Sequence, residues 1–91
     1  MDPLKDKLRF LLLSSNKLHI CISSSKLGCR RVFLHLNLLE TLDISHNGIT
    51  FLPQNLFQGL SNLTYLVLSG NKFMSLHENT FHSLGKLKHL E

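Results

Sequence analysis

The sequence predicts an α/β-type solenoid of stacked coils. Each coil contributes one short strand to a parallel sheet on one side, and irregular chain with short helical turns on the other. A shift of 24, from Leu42 to Leu66, also superimposes Asn47 on Asn71, and the neighbouring apolar positions agree in the same register. Residues 39–53 follow neither the apolar period of a helix nor that of a strand. A repeated coil explains both observations.

The chain is predicted to form a single repeat segment, residues 1–91, with three copies and the start of a fourth. The copies span residues 8–38, 39–62 and 63–86, and the fourth opens at residue 87. The first copy matches the second at a shift of 31, from Leu11 to Leu42, so it is longer by 31 minus 24, or seven. We expect no terminal caps, membrane-spanning segment or signalling domain in this stretch.

Each copy is predicted to open with a short strand. In the second copy Leu42 and Ile44 point into the interior and Thr41 and Asp43 point outward, because side chains alternate along a strand. Asn47 then turns the chain by bonding backbone groups through its amide. Apolar residues of the return path fill the interior, namely Ile49, Leu52, Phe57 and Leu60.

A single coil cannot bury its own apolar face, so successive coils must stack. In such a stack the asparagine after each strand recurs at one position, where it can bond the backbone of the neighbouring coil. The sequence therefore predicts a structural asparagine row of Asn16, Asn47 and Asn71. Ligand contact is the weaker interpretation of these asparagines, because they recur inside the apolar frame.

The stretch LETLDISHNGI follows the pattern L-x-x-L-x-L-x-x-N-x-L, and on it the chain resembles the leucine-rich repeat family. The segments NLFQGL and NTFHSL resemble the extracellular class of these repeats, in which Phe57 and Phe81 would form a phenylalanine spine. LETLDISHNGI and LSNLTYLVLSGNKF also resemble Toll-like receptor ectodomains. That resemblance implies a horseshoe with the strands on its concave face, and recognition of microbial or nucleic-acid ligands.

The function that this resemblance implies is non-catalytic recognition of a protein partner or a microbial pattern ligand, as in an innate immune receptor. Two alternatives stay open: a part of another extracellular adhesion or matrix protein, and a structural remnant that only assembles with larger repeat proteins. The resemblance also implies an extracellular or endosomal-lumen location. We do not expect a signal peptide, because the apolar run at positions 10–13 is too short.

Composition and charge argue against several other classes. Hydrophobic residues make up 43% of the chain and charged residues 18%, which is too apolar for a disordered segment and too interrupted for a membrane span. The net charge is +4, but no arginine-rich run with interleaved aromatics occurs, so nucleic acid is a weaker alternative partner. No nucleophile beside a base and no phosphate-binding glycine loop is found. We predict no enzymatic activity and no cofactor.

Two cysteines and one sequon are further candidate sites. Cys21 and Cys29 flank the extra residues of the first copy, and an oxidising compartment favours a disulfide between them, whereas a reducing one leaves two thiols. No second cysteine pair completes a zinc site, so no metal is predicted. Asn62 opens an N-x-[ST] sequon and is the candidate glycosylation site.

The outward strand positions line one face and are the candidate ligand-binding residues. They are Phe10, Leu12, Ser14, Thr41, Asp43, Ser45, Tyr65, Val67 and Ser69, and His89 begins a fourth row. Aromatic and aliphatic members make the face partly apolar, which suits a protein partner better than a sugar. The opposing hypothesis is that these residues only cover a sheet.

Uncovered coil ends near Leu87 and Leu90 also predict self-association or fraying of the chain.

Overall fold

The computed structural model describes residues 7–22, 33, 36–53, 55–76 and 78–91. These residues contain four short strands and two short helices. The strands are β1 (Phe10–Leu12), β2 (Thr41–Asp43), β3 (Tyr65–Val67) and β4 (His89–Leu90). The helices are α1 (Leu18–Ile22) and a 3₁₀ helix (Glu78–Phe81).

The strands form one parallel sheet in the order β1-β2-β3-β4. The register pairs Leu11 with Leu42, Leu42 with Leu66, and Leu66 with Leu90. The first pair differs in number by 42 minus 11, or 31, and the other two by 66 minus 42 and 90 minus 66, or 24. The register of the sheet is thus the register of the sequence repeat. Each winding of the chain returns one strand to the sheet in the same direction, as expected for a solenoid.

The interior is filled by the apolar residues of the repeat. Leu42, Ile44 and Leu66 are fully buried on the inner side of the sheet. The return path adds its predicted residues, Ile49, Leu52, Phe57 and Leu60, all of which are buried. Burying one such side chain stabilises the fold by about 1.5 to 3 kcal/mol. Residues of successive coils share one core cluster, so the coils depend on one another.

Three phenylalanines form a stack through the interior. Phe57 is 0% exposed, and its ring centroid lies 6.3 Å from that of Phe33 and 6.2 Å from that of Phe81. The rings are inclined by 19° and 17° respectively. The phenylalanine spine expected from Phe57 and Phe81 thus extends to Phe33, which the resemblance had not included. Phe33 precedes Phe57 by the same interval as Phe57 precedes Phe81, so the first coil regains the common register on its return path.

The chain turns sharply after each of the first three strands. Ser15, His46 and Gly70 occupy equivalent places, directly before the recurring asparagine, and all have positive φ angles of 59°, 55° and 74°. This left-handed conformation costs non-glycine residues more than glycine. A Cβ on Gly70 would also clash with the imidazole ring of His46, so only glycine fits there without moving the histidine.

Candidate functional site

The asparagine amides connect neighbouring coils at the turn. Asn47 is 1% exposed, and its Nδ2 donates to the carbonyl oxygens of Ile44 and Ser45 in its own coil, each at 2.9 Å, and of Leu13 in the preceding coil, at 3.0 Å. Its Oδ1 accepts from Leu18 N at 3.2 Å. The side chain of Asn47 therefore replaces the hydrogen bonds that the backbone loses where the strand ends.

Asn71 repeats this arrangement one coil later. Its Nδ2 donates to the oxygens of Leu68 and Ile44, and its Oδ1 accepts from the backbone nitrogens of Asn47 and Ile49 at 3.0 Å. Asn16, in the first coil, is exposed, and its amide donates to carbonyls of its own coil. Asn47 and Asn71 thus join neighbouring coils, whereas the bonds that Asn16 makes to described residues stay within its own turn.

The opposite side of the strands forms an outward face with three rows of side chains that run across the sheet. The register aligns Phe10, Thr41, Tyr65 and His89 in the first row, and Leu12, Asp43 and Val67 in the second. Glu91 continues the second row, since its backbone bonds Leu66 and Leu68. Ser14, Ser45 and Ser69 occupy the third row. We define the outward face as the members of these three rows.

The structure keeps Ser45 in the outward row but buries it. This residue was expected to point outward with the other candidates, but it is only 5% exposed. Its hydroxyl donates to Asp43 Oδ1 at 2.6 Å and also lies 3.1 Å from Ser14 Oγ, while its backbone nitrogen donates to the same Asp43 oxygen at 2.9 Å. Ser45 is therefore covered by its neighbours and orients Asp43 instead of offering a free contact surface.

The first-coil end of the outward face is apolar. Phe10 is 63% exposed and Leu12 is 68% exposed, although both belong to a strand. Large apolar side chains that stay this exposed side by side are typical of protein contact surfaces. Alternation along the strand had predicted the outward direction of both residues.

The other end carries an aromatic and carboxylate cluster. The rings of Tyr65 and His89 stack with centroids 4.3 Å apart and an interplanar angle of 13°. Both side chains bond one carboxylate oxygen, Glu91 Oε1, at 3.0 Å from the Tyr65 hydroxyl and 2.9 Å from His89 Nε2. Glu91 was not among the predicted candidates, although its place one repeat period after Val67 marks it as an outward position.

These contacts change the acidity of two groups. The hydrogen bond from His89, followed by that from Tyr65, lowers the pKa of the Glu91 carboxyl below its ordinary value. The same hydrogen bond to Glu91, with smaller effects of burial and of the negative charges of Glu91 and Asp43, raises the pKa of the Tyr65 hydroxyl. Both shifts strengthen the preference that these groups already have at neutral pH, an ionised Glu91 and a protonated Tyr65.

We predict a pH dependence from the lowered pKa of Glu91. A carboxyl with a lower pKa in the folded state contributes stability above its unfolded pKa, and this contribution is lost as the pH falls through the folded pKa. Carbon-13 NMR titration should show the pKa of Glu91 rising most in His89→Ala and less in Tyr65→Phe. Equal pKa values in the three proteins would show that these bonds do not form in solution.

One flank of the sheet brings together Arg9, Glu40, Asn62 and Lys86. Arg9 pairs with Glu40 at 2.9 Å, and both side chains are exposed. Asn62, the candidate glycosylation site, is half-buried, donates from Nδ2 to Asn37 O at 2.7 Å and accepts from Lys86 Nζ at 2.9 Å. The nitrogen that a glycan would occupy is thus engaged in the folded chain. Glycosylation at Asn62 remains a prediction.

The predicted cysteine pair lies outside what the structure describes. Cys29 is not among the described residues, and only the backbone of Cys21, in α1, is described. Among the described residues, no group of three or more histidines, cysteines and acidic residues is placed to hold a metal ion. No helix in the described ranges has both the length and the apolar character needed to cross a bilayer.

Comparison with known families assigns the repeat. The model of the leucine-rich repeat family matches residues 30–91, which is more than half of the chain. The chain belongs to the leucine-rich repeat family. Modules of this family generally bind proteins, through extended surfaces that successive repeats build together. The match covers β2, β3 and β4 and thus most of the outward face.

Two kinds of relatives are similar over part of this leucine-rich repeat chain. Leucine-rich repeat-containing protein 3B of Homo sapiens, and likewise of Mus musculus, is 39% identical over 54 residues, or 58% of this chain and 21% of the relative. Tsukushi of Mus musculus is 39% identical over 61 residues, or 65% of this chain and 17% of Tsukushi. The chain spans about a fifth of the length of these relatives.

Proposed function

We propose that this leucine-rich repeat chain is a non-catalytic module that binds a protein partner through its outward face. The observation that carries the proposal is the exposure of Phe10 and Leu12 on a sheet face whose register is fixed by the coils behind it. A rigid, partly apolar surface loses little conformational entropy on binding, so its contacts contribute to affinity efficiently. The general role of the family supports the same conclusion.

The relatives bear on two more specific assignments, a Toll-like receptor and an adhesion or matrix protein. Leucine-rich repeat-containing protein 3B and Tsukushi are not Toll-like receptors, so they lend no support to an innate immune role or to microbial ligands. They agree better with the alternative, a part of another extracellular leucine-rich repeat protein of the adhesion or matrix kind. We keep the Toll-like assignment, the horseshoe curvature and the coil boundaries as proposals, and binding through the outward face does not depend on them.

A selection experiment tests the proposed function. Peptides or small protein domains are selected from a displayed library on the immobilised chain, and each binder is then measured against variants of the outward face. We expect Phe10→Ser and Val67→Asp to weaken the selected binders about tenfold or more, since each removes or charges a contact at the surface. Met74→Ser is the matched control, because Met74 is 90% exposed but lies off the face.

Two outcomes decide the proposal. Binders that lose affinity with the face variants and keep it with Met74→Ser would support it. Binders that depend on Met74, or on no outward residue, would refute it. Circular dichroism of each variant separates lost contacts from lost folding, because the substitutions are at exposed or half-exposed sites and should leave the spectrum unchanged.

Self-association is a second candidate function, favoured by the apolar surface beside β4. Leu90 is 49% exposed and Leu76 is 46% exposed, whereas their repeat equivalents Leu66 and Leu52 are buried. They border a cavity of about 400 Å³ that also includes Phe73. A second copy of this chain could cover these side chains, as one coil covers the next.

Sedimentation velocity tests the self-association. We expect the wild-type chain to show a concentration-dependent increase in sedimentation coefficient and Leu76→Glu to sediment as a monomer, because a charge at this site opposes burial. Thr50→Glu, at an exposed residue in the preceding coil, is the control and should associate as the wild type does. A wild-type chain that stays monomeric, or a Leu76→Glu variant that associates equally, would rule out this surface.

A further inference from the structure

Two carboxylates lie in the second row of the outward face. Asp43 on β2 and Glu91 after β4 lie on either side of Val67 in one row. They are two strands apart, which corresponds to about 10 Å at ordinary strand spacing. An apolar side chain thus separates two carboxylates on the same face.

Each of these carboxylates is oriented through one oxygen and leaves the other available. Asp43 Oδ1 accepts from the backbone and hydroxyl of Ser45, and Glu91 Oε1 accepts from Tyr65 and His89. The second oxygen of each carboxylate accepts no hydrogen bond from the residues that the structure describes. Both groups are therefore already oriented before any ligand arrives, which lowers the entropic cost of binding.

The stacked rings of Tyr65 and His89 border the same carboxylate. A planar cation can make a charge-assisted hydrogen bond to this carboxylate and extend its other donors toward a second one. Of the two rings, His89 is exposed and Tyr65 is half-buried, so the stack is open to solvent at the β4 edge. A compact, strongly hydrated cation would gain less from this arrangement than a flat one.

The charge of the face is opposite to that of the chain. The chain carries a formal net charge of +4, but none of the described lysines and arginines occupies an outward strand position. Arg9, the nearest to β1, is paired with Glu40 on the flank. At physiological ionic strength charges beyond about 8 Å are largely screened. A partner at the face therefore meets Asp43 and Glu91 before it meets the basic flanks.

We propose that the outward face recognises an arginine flanked by apolar residues on a protein partner. The guanidinium lies between Asp43 and Glu91, and the apolar neighbours pack on Val67 and toward Leu12. This inference rests on the proposed function, since it names the chemistry of the partner at the same face. The planar guanidinium and its five donors fit two separate carboxylate oxygens better than a lysine ammonium does.

The same observations disfavour other partners. A nucleic acid or a sulfated polysaccharide presents closely spaced negative charges, which Asp43 and Glu91 would repel. A long basic tract would meet the net positive charge of the rest of the chain once it extended beyond the face. One arginine within an apolar segment avoids both repulsions.

NMR titration with designed peptides tests the inference. The nitrogen-15-labelled chain is titrated at low salt with a short peptide that contains one arginine between two leucines. Matched peptides replace the arginine by lysine or by citrulline, which keeps the shape and removes the charge, or the leucines by serine. We expect shifts at the outward face with the arginine peptide, and binding about tenfold weaker for citrulline because a charge-assisted hydrogen bond is lost.

Charge-removing variants locate the effect. Asp43→Asn and Glu91→Gln keep the oxygen that accepts from Ser45, Tyr65 and His89, so they should leave the fold intact. Together they should weaken the arginine peptide about tenfold and remove its advantage over citrulline. Glu40→Gln removes the same single charge on the flank, and it should leave the affinity within about twofold of the wild type.

Several results would overturn the inference. They are no shift at the outward face with the arginine peptide, equal affinity for the citrulline peptide, an equal loss in Glu40→Gln, or stronger shifts at the face with a heparin fragment. If library-selected binders still depend on Phe10 and Val67 but contain no arginine, the proposed function stands and this inference fails. If selected binders ignore the outward face, both fail.

Discussion

Replacing Asn47 by alanine should lower the free energy of unfolding by about 3 kcal/mol, because several buried hydrogen bonds are lost together at roughly 1 kcal/mol each. The amide of Asn47 bonds three carbonyls and the nitrogen of Leu18, and these bonds join two coils. This loss of free energy is smaller than four fully unsatisfied polar groups would cause. The reason is that Leu13 O and Ile44 O keep hydrogen bonds to Asn16 and Asn71. Urea unfolding followed by circular dichroism measures it.

Two further variants make the Asn47 prediction specific. Asn47→Asp has the same shape, but its carboxylate would face three carbonyl oxygens without donors, so we expect it to cost at least as much as alanine. Asn16→Ala should cost less than about 1 kcal/mol, because Asn16 is exposed and its amide bonds its own coil. Equal effects at Asn16 and Asn47 would contradict the proposed difference between the end and the middle of the row.

Replacing Phe57 by alanine should have the other large effect, a loss of about 3 to 5 kcal/mol in the free energy of unfolding. The ring is 0% exposed and stacks on Phe33 and Phe81, so alanine leaves a cavity that both neighbours line. A domain of this size has a stability of roughly 5 to 14 kcal/mol. Phe57→Ala should therefore remove a large fraction of it, and a thermal melt should show the transition at a much lower temperature.

The control for this prediction is Phe10→Ala, the same chemical change at a residue that is 63% exposed. It should alter stability by less than about 1 kcal/mol, because little apolar surface is removed from a buried site. If Phe57→Ala were as mild as Phe10→Ala, the phenylalanine stack would not be part of the core. Coupling between Phe57→Ala and Phe81→Ala in a double-mutant cycle would show that the stack connects separate coils.

The parts of the fold that repeat could be predicted from the sequence. Strand register, the inward direction of Leu42 and Leu66, and the burial of Leu60 all follow from the period of the repeat, because equivalent residues of stacked coils must meet. Phe33 was missed because the first copy was aligned only over its strand and turn, at the longer shift that superimposes Leu11 on Leu42, and its return path was left unaligned. Its return path in fact follows the shorter shift, which places Phe33 beside Phe57.

The candidate site was harder to predict, since its details depend on contacts between side chains. Alternation along the strands selected Phe10, Leu12 and Tyr65, but it could not show that Ser45 would be covered by Asp43 and Ser14. The role of Glu91 depends on two hydrogen bonds from Tyr65 and His89, which no periodicity reveals. Periodicity thus finds the face, and only coordinates distinguish its free groups from its engaged ones.

The measurement that tests the stacked-coil fold most directly is a nuclear Overhauser spectrum of the isotope-labelled chain. Stacked coils require backbone contacts across the parallel sheet between Leu11 and Leu42, between Leu42 and Leu66, and between Leu66 and Leu90. They also require contacts between the side-chain amide of Asn71 and the backbone of Asn47 and Ile49. A spectrum that instead shows mainly the short-range contacts of helices along the chain, with none between these partners, would contradict the stacked-coil fold.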